Sequence, residues 1–223
     1  MRPKGIIIAI DGPTASGKST TAHEAAKRLG YIHINTGAMY RAFALYASQW
    51  GVLSAEDDRI SKLSEKAYID FDESGNILLE GREVTKEILA PEIAQLASTL
   101  ATLPRVREKM VAMQQEMGKE GGVVLDGRDI GTVVFPDAEV KIFLIANAKT
   151  RAERRKLELA RAGKDMPLDK LTQEIEERDR RDSERELSPL KKAFDAVELD
   201  TSKLNVDEQV EKVVVLAKKW LKN

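Results

Sequence analysis

Gly12, Gly17, Lys18 and Ser19 have the types and spacing needed to hold a chain of phosphates. They stand in GPTASGKST, residues 12–20, and satisfy G-x-x-x-x-G-K-[ST]. Glycines let backbone N–H groups turn inward toward phosphate oxygens, and the positive end of a following helix dipole adds to them. Gly12, Pro13, Thr14, Ala15, Ser16, Gly17, Lys18, Ser19 and Thr20 are therefore candidates for binding a nucleoside triphosphate. Lys18 suits the β and γ phosphates, and the Ser19 hydroxyl suits Mg²⁺. The loop alone leaves open a GTPase switch, an ATP motor, a kinase for a small hydroxyl compound and a kinase for a nucleoside monophosphate.

Other residues narrow that choice. An N-K-x-D guanine reader is absent, and the D-x-x-G at Asp72–Gly75 falls in an expected hairpin turn, which removes the switch. A chain of 223 residues has no room for the extra domains or ring of a motor. Small-molecule kinases remain. A hydroxyl acceptor needs a base or an orienting carboxylate, whereas a phosphate acceptor is already an anion at pH 7 and needs cations. Several arginines fit the second case. Thr36 and Arg41 lie in NTGAMYR; Asp126, Arg128 and Asp129 lie in DGRDIG; Arg178, Asp182 and Arg185 share one face of a helix in ERDRRDSER. Glu177, Arg181 and Glu184 form the adjoining face, with ion-pair spacing. Asp126 ends an apolar strand and suits an outer role toward Mg²⁺.

These residues need elements that bring them together. GIIIAID (5–11), YIHIN (31–35), GVVLD (122–126), VKIFLIA (140–146) and AVELD (196–200) read as strands buried on both faces. Helical segments between them argue for an α/β fold with a parallel sheet. Its carboxyl edge would gather the loop, Thr36 and Asp126 into one crevice. AYIDFDESGNILLEGREVTKEI (67–88) interrupts the rhythm as three short strands, with a helix expected from about Glu92 to Leu103. Residues 149–170 are charged, are punctuated by Gly163 and Pro167, and read as a weakly docked lid. Arg151, Arg154 and Arg155 share a face there and would close onto a transferring phosphoryl group.

Composition removes other classes. Lys plus Arg total 36 against 37 Asp plus Glu, so no general basic field favours nucleic acid. There is no Cys, and two His cannot form a metal cluster. The apolar run after MRPKG is too short for a signal segment, and no stretch reads as a membrane span. A cytoplasmic monomer is the expectation.

GPTASGKST, NTGAMYR, PRVR, DGRDIGTVVFPDA and ERDRRDSER, in this order, resemble the bacterial cytidylate kinases over nearly the whole chain. The glycine loop is common to many NTPases; GRDIGTVVFPDA and the inserted hairpin are more particular to this family. The resemblance implies a P-loop nucleoside monophosphate kinase fold with a five-stranded parallel sheet in the order 2-3-1-4-5 and flanking helices. It further implies a small inserted antiparallel β plus helix subdomain at about 64–103 and a helical lid at about 149–170, within a single domain 1–223. The implied reaction passes the γ-phosphoryl of ATP to CMP or dCMP with Mg²⁺.

By the same resemblance, Arg41, Arg128 and Arg185 hold the acceptor phosphate, and Asp182 with Arg178 engages the sugar. Ser98, Arg107 and Asp129 read the base. Cytosine offers an N4 donor with acceptors at O2 and N3, which suits two acceptors and an arginine; uracil reverses the polarity at positions 3 and 4. Such a site rejects the wrong base by about 10⁴. Lys18, Arg128, Arg185 and a lid arginine, Arg154 ahead of Arg151 and Arg155, would stabilise the transferring group. Thr36 stands where some members have Ser. Kinases for other nucleoside monophosphates such as UMP, and a module that binds nucleotide without chemistry, remain the alternatives.

Overall fold

The computed structural model describes residues 2–54, 56, 58–72, 74–161 and 163–221. Glu73 of the expected DESGN turn and Ala162 of the expected lid lie outside the described residues. The chain runs β1 (Ile7–Asp11), α1 (Lys18–Leu29), β2 (Ile32–Asn35), α2 (Thr36–Gln49), α3 (Ile60–Lys66), β3 (Ile69–Phe71), β4 (Ile77–Leu79) and β5 (Arg82–Glu83). It continues with α4 (Pro91–Leu100), α5 (Pro104–Gly118), β6 (Val123–Gly127), β7 (Val140–Ile145), α6 (Ala148–Arg161), α7 (Leu168–Glu184), β8 (Val197–Asp200) and α8 (Val206–Leu221).

Five strands form one sheet in the order β2-β6-β1-β7-β8, with every neighbouring pair parallel. Counted along the chain, this is the expected 2-3-1-4-5. Strand β1 sits at the centre because its alternation feeds two cores. Ile7 and Ala9 face the core that includes Ala42 and Phe43 of α2, while Ile8 and Ile10 face Ala22 and Ala25 of α1 and Val210 and Val213 of α8. Burying each large aliphatic side chain stabilises the fold by about 1.5–3 kcal/mol. The register aligns the carboxyl ends of three strands, with Asn35 opposite Asp126 and Asp11 opposite Gly127. The crevice expected at that edge is thus a product of strand register.

Strands β3, β4 and β5 make a separate antiparallel sheet, matching the three short strands expected in 67–88. The following helix ends at Leu100, three residues short of the expected Leu103, and α5 begins at Pro104. A proline biases the residue before it away from helix and is itself well suited to a first helical turn, so one helix must stop before the next starts. Helices α6 and α7 are better anchored than the charge pattern of 149–170 suggests. Ala152, Leu171 and Ile175 form a small buried cluster, against which Ala15 of the glycine loop packs. Leu171 and Ile175 lie just beyond the charged stretch, so the apolar face exists only when both helices are counted. Among the described residues, no helix is long and apolar enough to cross a membrane.

Candidate active site

The loop between β1 and α1 is held very close to the sheet. A Cβ at Gly12 would lie 2.2 Å from the Leu144 carbonyl oxygen, so only glycine fits there. Gly17 has φ 94°, and a Cβ on it would meet Gln209 Oε1 at 3.0 Å. Lys18 follows at the first position of α1 and points back over the loop, donating to the Pro13 carbonyl at 3.1 Å. Burial pushes its ammonium down to about 7, and the Arg128 charge adds to that, against the pull of Asp126.

Beside the loop, Ser19 Oγ donates to Asp126 Oδ2 at 2.5 Å, and His33 Nε2 lies 2.8 Å from Asp126 Oδ1. Burial raises the Asp126 carboxyl. The His33 hydrogen bond and charge, with Lys18 and Ser19, outweigh burial and hold it below the ordinary range. Two oxygen-bearing side chains at the mouth of a phosphate loop fit Mg²⁺, which keeps several waters and phosphate oxygens and needs no closed protein cage. No group of three or more His, Asp or Glu among the described residues offers such a cage.

A cavity of about 610 Å³ opens from this point. Asn35 caps α2 by accepting from the Ala38 amide at 2.8 Å, and Thr36 Oγ1 donates to the Asp126 carbonyl at 2.8 Å. These contacts aim the first turn of α2, with Tyr40 and Arg41, into the cavity. The end of β6 presents Asp126, Arg128 and Asp129, and α7 presents Arg178, Asp182 and, at its end, Arg185. Ser98 of α4 and Arg107 of α5 also line the cavity. Seven cationic side chains line the cavity against four acidic ones, although the whole chain carries a formal charge of −1. The positive field is therefore local, and it suits an anion.

Three of these arginines, Arg107, Arg128 and Arg185, stand against carboxylates. Arg128 Nε donates to Asp182 Oδ2 at 2.7 Å, and its Nη2 to Thr14 Oγ1 at 2.9 Å. Burial raises the Asp182 carboxyl, but Arg128, by charge and hydrogen bond, and then Arg178 and Arg185 hold it low. Arg107 is ion-paired with Asp129, donates to the Ala101 carbonyl at 3.2 Å and lies 5.7 Å from the Tyr40 ring centre. Arg185 donates to the Ser188 carbonyl at 2.5 Å, and its Nη2 stands 3.7 Å from Asp129 Oδ1. Burial, then the Arg128 charge, lower the Arg178 guanidinium to about 10, so it stays cationic at neutral pH. Arg41 Nε, Arg178 Nε, Arg185 Nη2 and the Tyr40 hydroxyl are buried with no hydrogen-bond partner among the described residues. Buried donors of this kind suit a ligand rich in acceptors.

Of the residues singled out in the sequence, Lys18, Ser19, Thr36, Arg41, Ser98, Arg107, Asp126, Arg128, Asp129, Arg178, Asp182 and Arg185 all meet in this cavity. The lid arginines do not. Arg154 donates to the carbonyls of Ser16 and Thr201, at 3.0 and 2.7 Å, behind the loop. Arg151 pairs with Asp179 and donates to the Thr14 carbonyl at 3.2 Å. Arg155 pairs with Glu158 on the surface, yet its charge reaches Arg41 and Arg178. The sequence counts His33 only against a metal cluster, and three residues went unnoticed there: Tyr40, Asp179 and Asp11, whose carboxylate accepts the Ile130 and Gly131 amides at 2.8 Å. Those amides start a single wide turn, in which the Phe135 amide bonds the Ile130 carbonyl at 2.7 Å. Tyr40 and Asp179 lay within stretches already noted; their one available signal was a place in NTGAMYR or ERDRRDSER.

Comparison with known proteins agrees with this geometry. A family model described as cytidylate kinase matches residues 8–219. A cytidylate kinase of Bacillus thuringiensis (strain Al Hakam) is 48% identical over 214 residues, covering 95% of this chain and 95% of that protein. One of Bacillus cereus (strain Q1) matches to the same extent, with 48% identity over 95% of each chain. Among solved structures, an uncharacterized protein from Eubacterium ventriosum ATCC 27560 aligns over 96% of this chain and 98% of its own, with a TM-score of 0.52 at 14% identity, a likeness of fold alone. The chain belongs to the cytidylate kinase family.

Proposed function

We propose that this protein transfers the γ-phosphoryl group of ATP to CMP, and to dCMP, giving ADP and the nucleoside diphosphate. The observation that carries the reading is one cavity lined together by Lys18 and Ser19 of the glycine loop, the buried Arg107–Asp129 pair, and Arg41, Arg128, Arg178 and Arg185. ATP phosphates rest in the loop 12–20, and Lys18 gains its full charge as they arrive. Ser19 would hold Mg²⁺, with Asp126 supporting it from an outer position through the Ser19 hydroxyl, and the ion would supply neutralisation of phosphate charge. Asp129 and Ser98 accept from the cytosine, and Arg107 donates to it. Asp182 and Arg178 engage the sugar, and Arg41, Arg128 and Arg185 hold the acceptor phosphate.

The acceptor oxygen is already anionic, so no base is required. The work of the site is to bring two anions together and neutralise the charge between them. Lys18, Arg128 and Arg185 act there, joined by Arg154 or a neighbouring arginine when residues 149–170 close and exclude water. A monomer acting in the cytoplasm, with the insertion at 64–103 carrying Ser98, completes the proposal. ADP release with Mg-ATP is the test, run against CMP, dCMP, UMP, AMP, GMP and a control without acceptor. Turnover confined to CMP and dCMP is expected. Strong turnover of UMP would defeat the base assignment, and hydrolysis indifferent to acceptor would defeat the kinase.

A further inference from the structure

We propose that Asp179 is a positioning residue for the donor phosphates, acting through Thr14 and Arg151 without touching either nucleotide. The inference rests on the ATP-dependent reading above. Asp179 lies on α7, one residue after Arg178 and three before Asp182, but it does not line the cavity. Its Oδ1 accepts the Thr14 amide at 2.9 Å, and its Oδ2 is paired with Arg151 of α6. Arg151 also donates to the Thr14 carbonyl at 3.2 Å, and Arg128 donates to the Thr14 hydroxyl at 2.9 Å. Every polar group of Thr14 is thereby held, by side chains from three different segments.

The next residue gives this clamp its purpose. Ala15 has φ 58°, a left-handed conformation that a residue with a Cβ adopts only when its surroundings impose it. Its methyl group packs against the cluster of Ala152, Leu171 and Ile175 on α6 and α7. The two helices therefore fix the strained half of the glycine loop by polar contacts at Thr14 and an apolar contact at Ala15. Asp179 bonds both the loop amide and the helix α6 arginine. Because the same helix carries Arg178 and Asp182 and is followed directly by Arg185, it joins the acceptor side of the cavity to the shape of the donor loop.

Calorimetric titration of ATP and, separately, of CMP into wild type, Asp179→Ala, Asp179→Asn, Arg151→Ala and the double variant Asp179→Ala/Arg151→Ala tests this. A hydrogen bond to a charged group sets the scale, so Asp179→Ala is expected to weaken ATP about 10- to 100-fold and CMP less than about threefold. Asp179→Asn keeps an acceptor for the Thr14 amide and loses the ion pair, so it should fall between wild type and Asp179→Ala. The double variant should lose little beyond Asp179→Ala, because both side chains work through Thr14. In steady state the defect should appear in KM for ATP more than in KM for CMP. Unchanged ATP affinity, equal losses for both nucleotides, or losses that add in the double variant would each overturn the proposal. If Asp179→Ala does not fold, Asp179→Asn decides by the same ATP and CMP comparison. Wild-type turnover of CMP is measured apart from the titrations: its absence would sink the acceptor reading and leave the ATP series decisive for Asp179.

Discussion

Replacing Asp129 by Asn tests base reading and packing at once. Asp129 and Arg107 form an ion pair with side chains only 10% and 5% exposed, and Arg185 approaches Asp129 at 3.7 Å. Asn has the same shape but no charge. A charged hydrogen bond contributes about 1.5–3 kcal/mol, so losing the charged acceptor for the cytosine amino group should reduce kcat/KM for CMP by about 10- to 150-fold. Uracil carries a carbonyl there, which an Asp repels and the amide group of Asn can meet. The value for UMP should hold or rise, and the ratio of CMP to UMP should fall by about two orders of magnitude. Breaking a fully buried pair costs about 3–5 kcal/mol. Asn still accepts from Arg107, and the cavity admits water, so about 1–3 kcal/mol is the better figure. At roughly 2–4 °C per kcal/mol for a chain of this size, the melting midpoint should drop by about 2–12 °C. A coupled ADP assay on both acceptors and a thermal melt give the two readings. Equal loss on CMP and UMP would refute the base assignment, and an unchanged midpoint would refute the buried pair.

Arg128→Ala removes a guanidinium aimed by Asp182 and Thr14, and should cut kcat by about 10²–10³ while calorimetric ATP affinity changes far less; retained turnover would take Arg128 out of the mechanism. Lys18 is held near 7 by burial before nucleotide arrives, and phosphates would raise it, so ATP binding should take up protons around pH 7–8 and weaken as pH climbs above 7. Titrations in buffers of different ionisation enthalpy would reveal that uptake, and heats independent of buffer would disprove it. Burial raises Asp11 from 3.8 to about 7 despite two amide hydrogen bonds. The folded state then binds more protons than the unfolded one between those values, so Asp11 lowers stability progressively as pH rises from about 4 to 7. Urea unfolding of Asp11→Asn should show a more positive slope against pH than wild type over that window, and identical slopes would contradict the assignment.

The sequence by itself settled everything that local pattern controls. The glycine loop was legible because its chemistry is written in consecutive residues. Strands β1, β6 and β7 were legible because a strand buried on both faces must be apolar throughout, whereas β2 and β8, expected to be buried in the same way, stand at the sheet edges and are mostly exposed or half-buried. Residues 122–129 showed a strand end followed by charge, which already placed Asp126, Arg128 and Asp129 at an edge. The register of the sheet was decided only in three dimensions, and it sets Asn35 level with Asp126 and Asp11 level with the next residue, Gly127. Tertiary structure also decided how each charge is spent. Arg151, Arg154 and Arg155 share a helical face in the sequence, yet one pairs with Asp179, one donates to loop carbonyls and one faces solvent. Helical spacing tells which side chains point the same way, but hydrogen-bond partners come from segments far along the chain. Asp179 shows this most clearly, since its partners Thr14 and Arg151 lie 165 and 28 residues away. The pairing exists only because α6 and α7 bury Ala152, Leu171 and Ile175 together beside the loop.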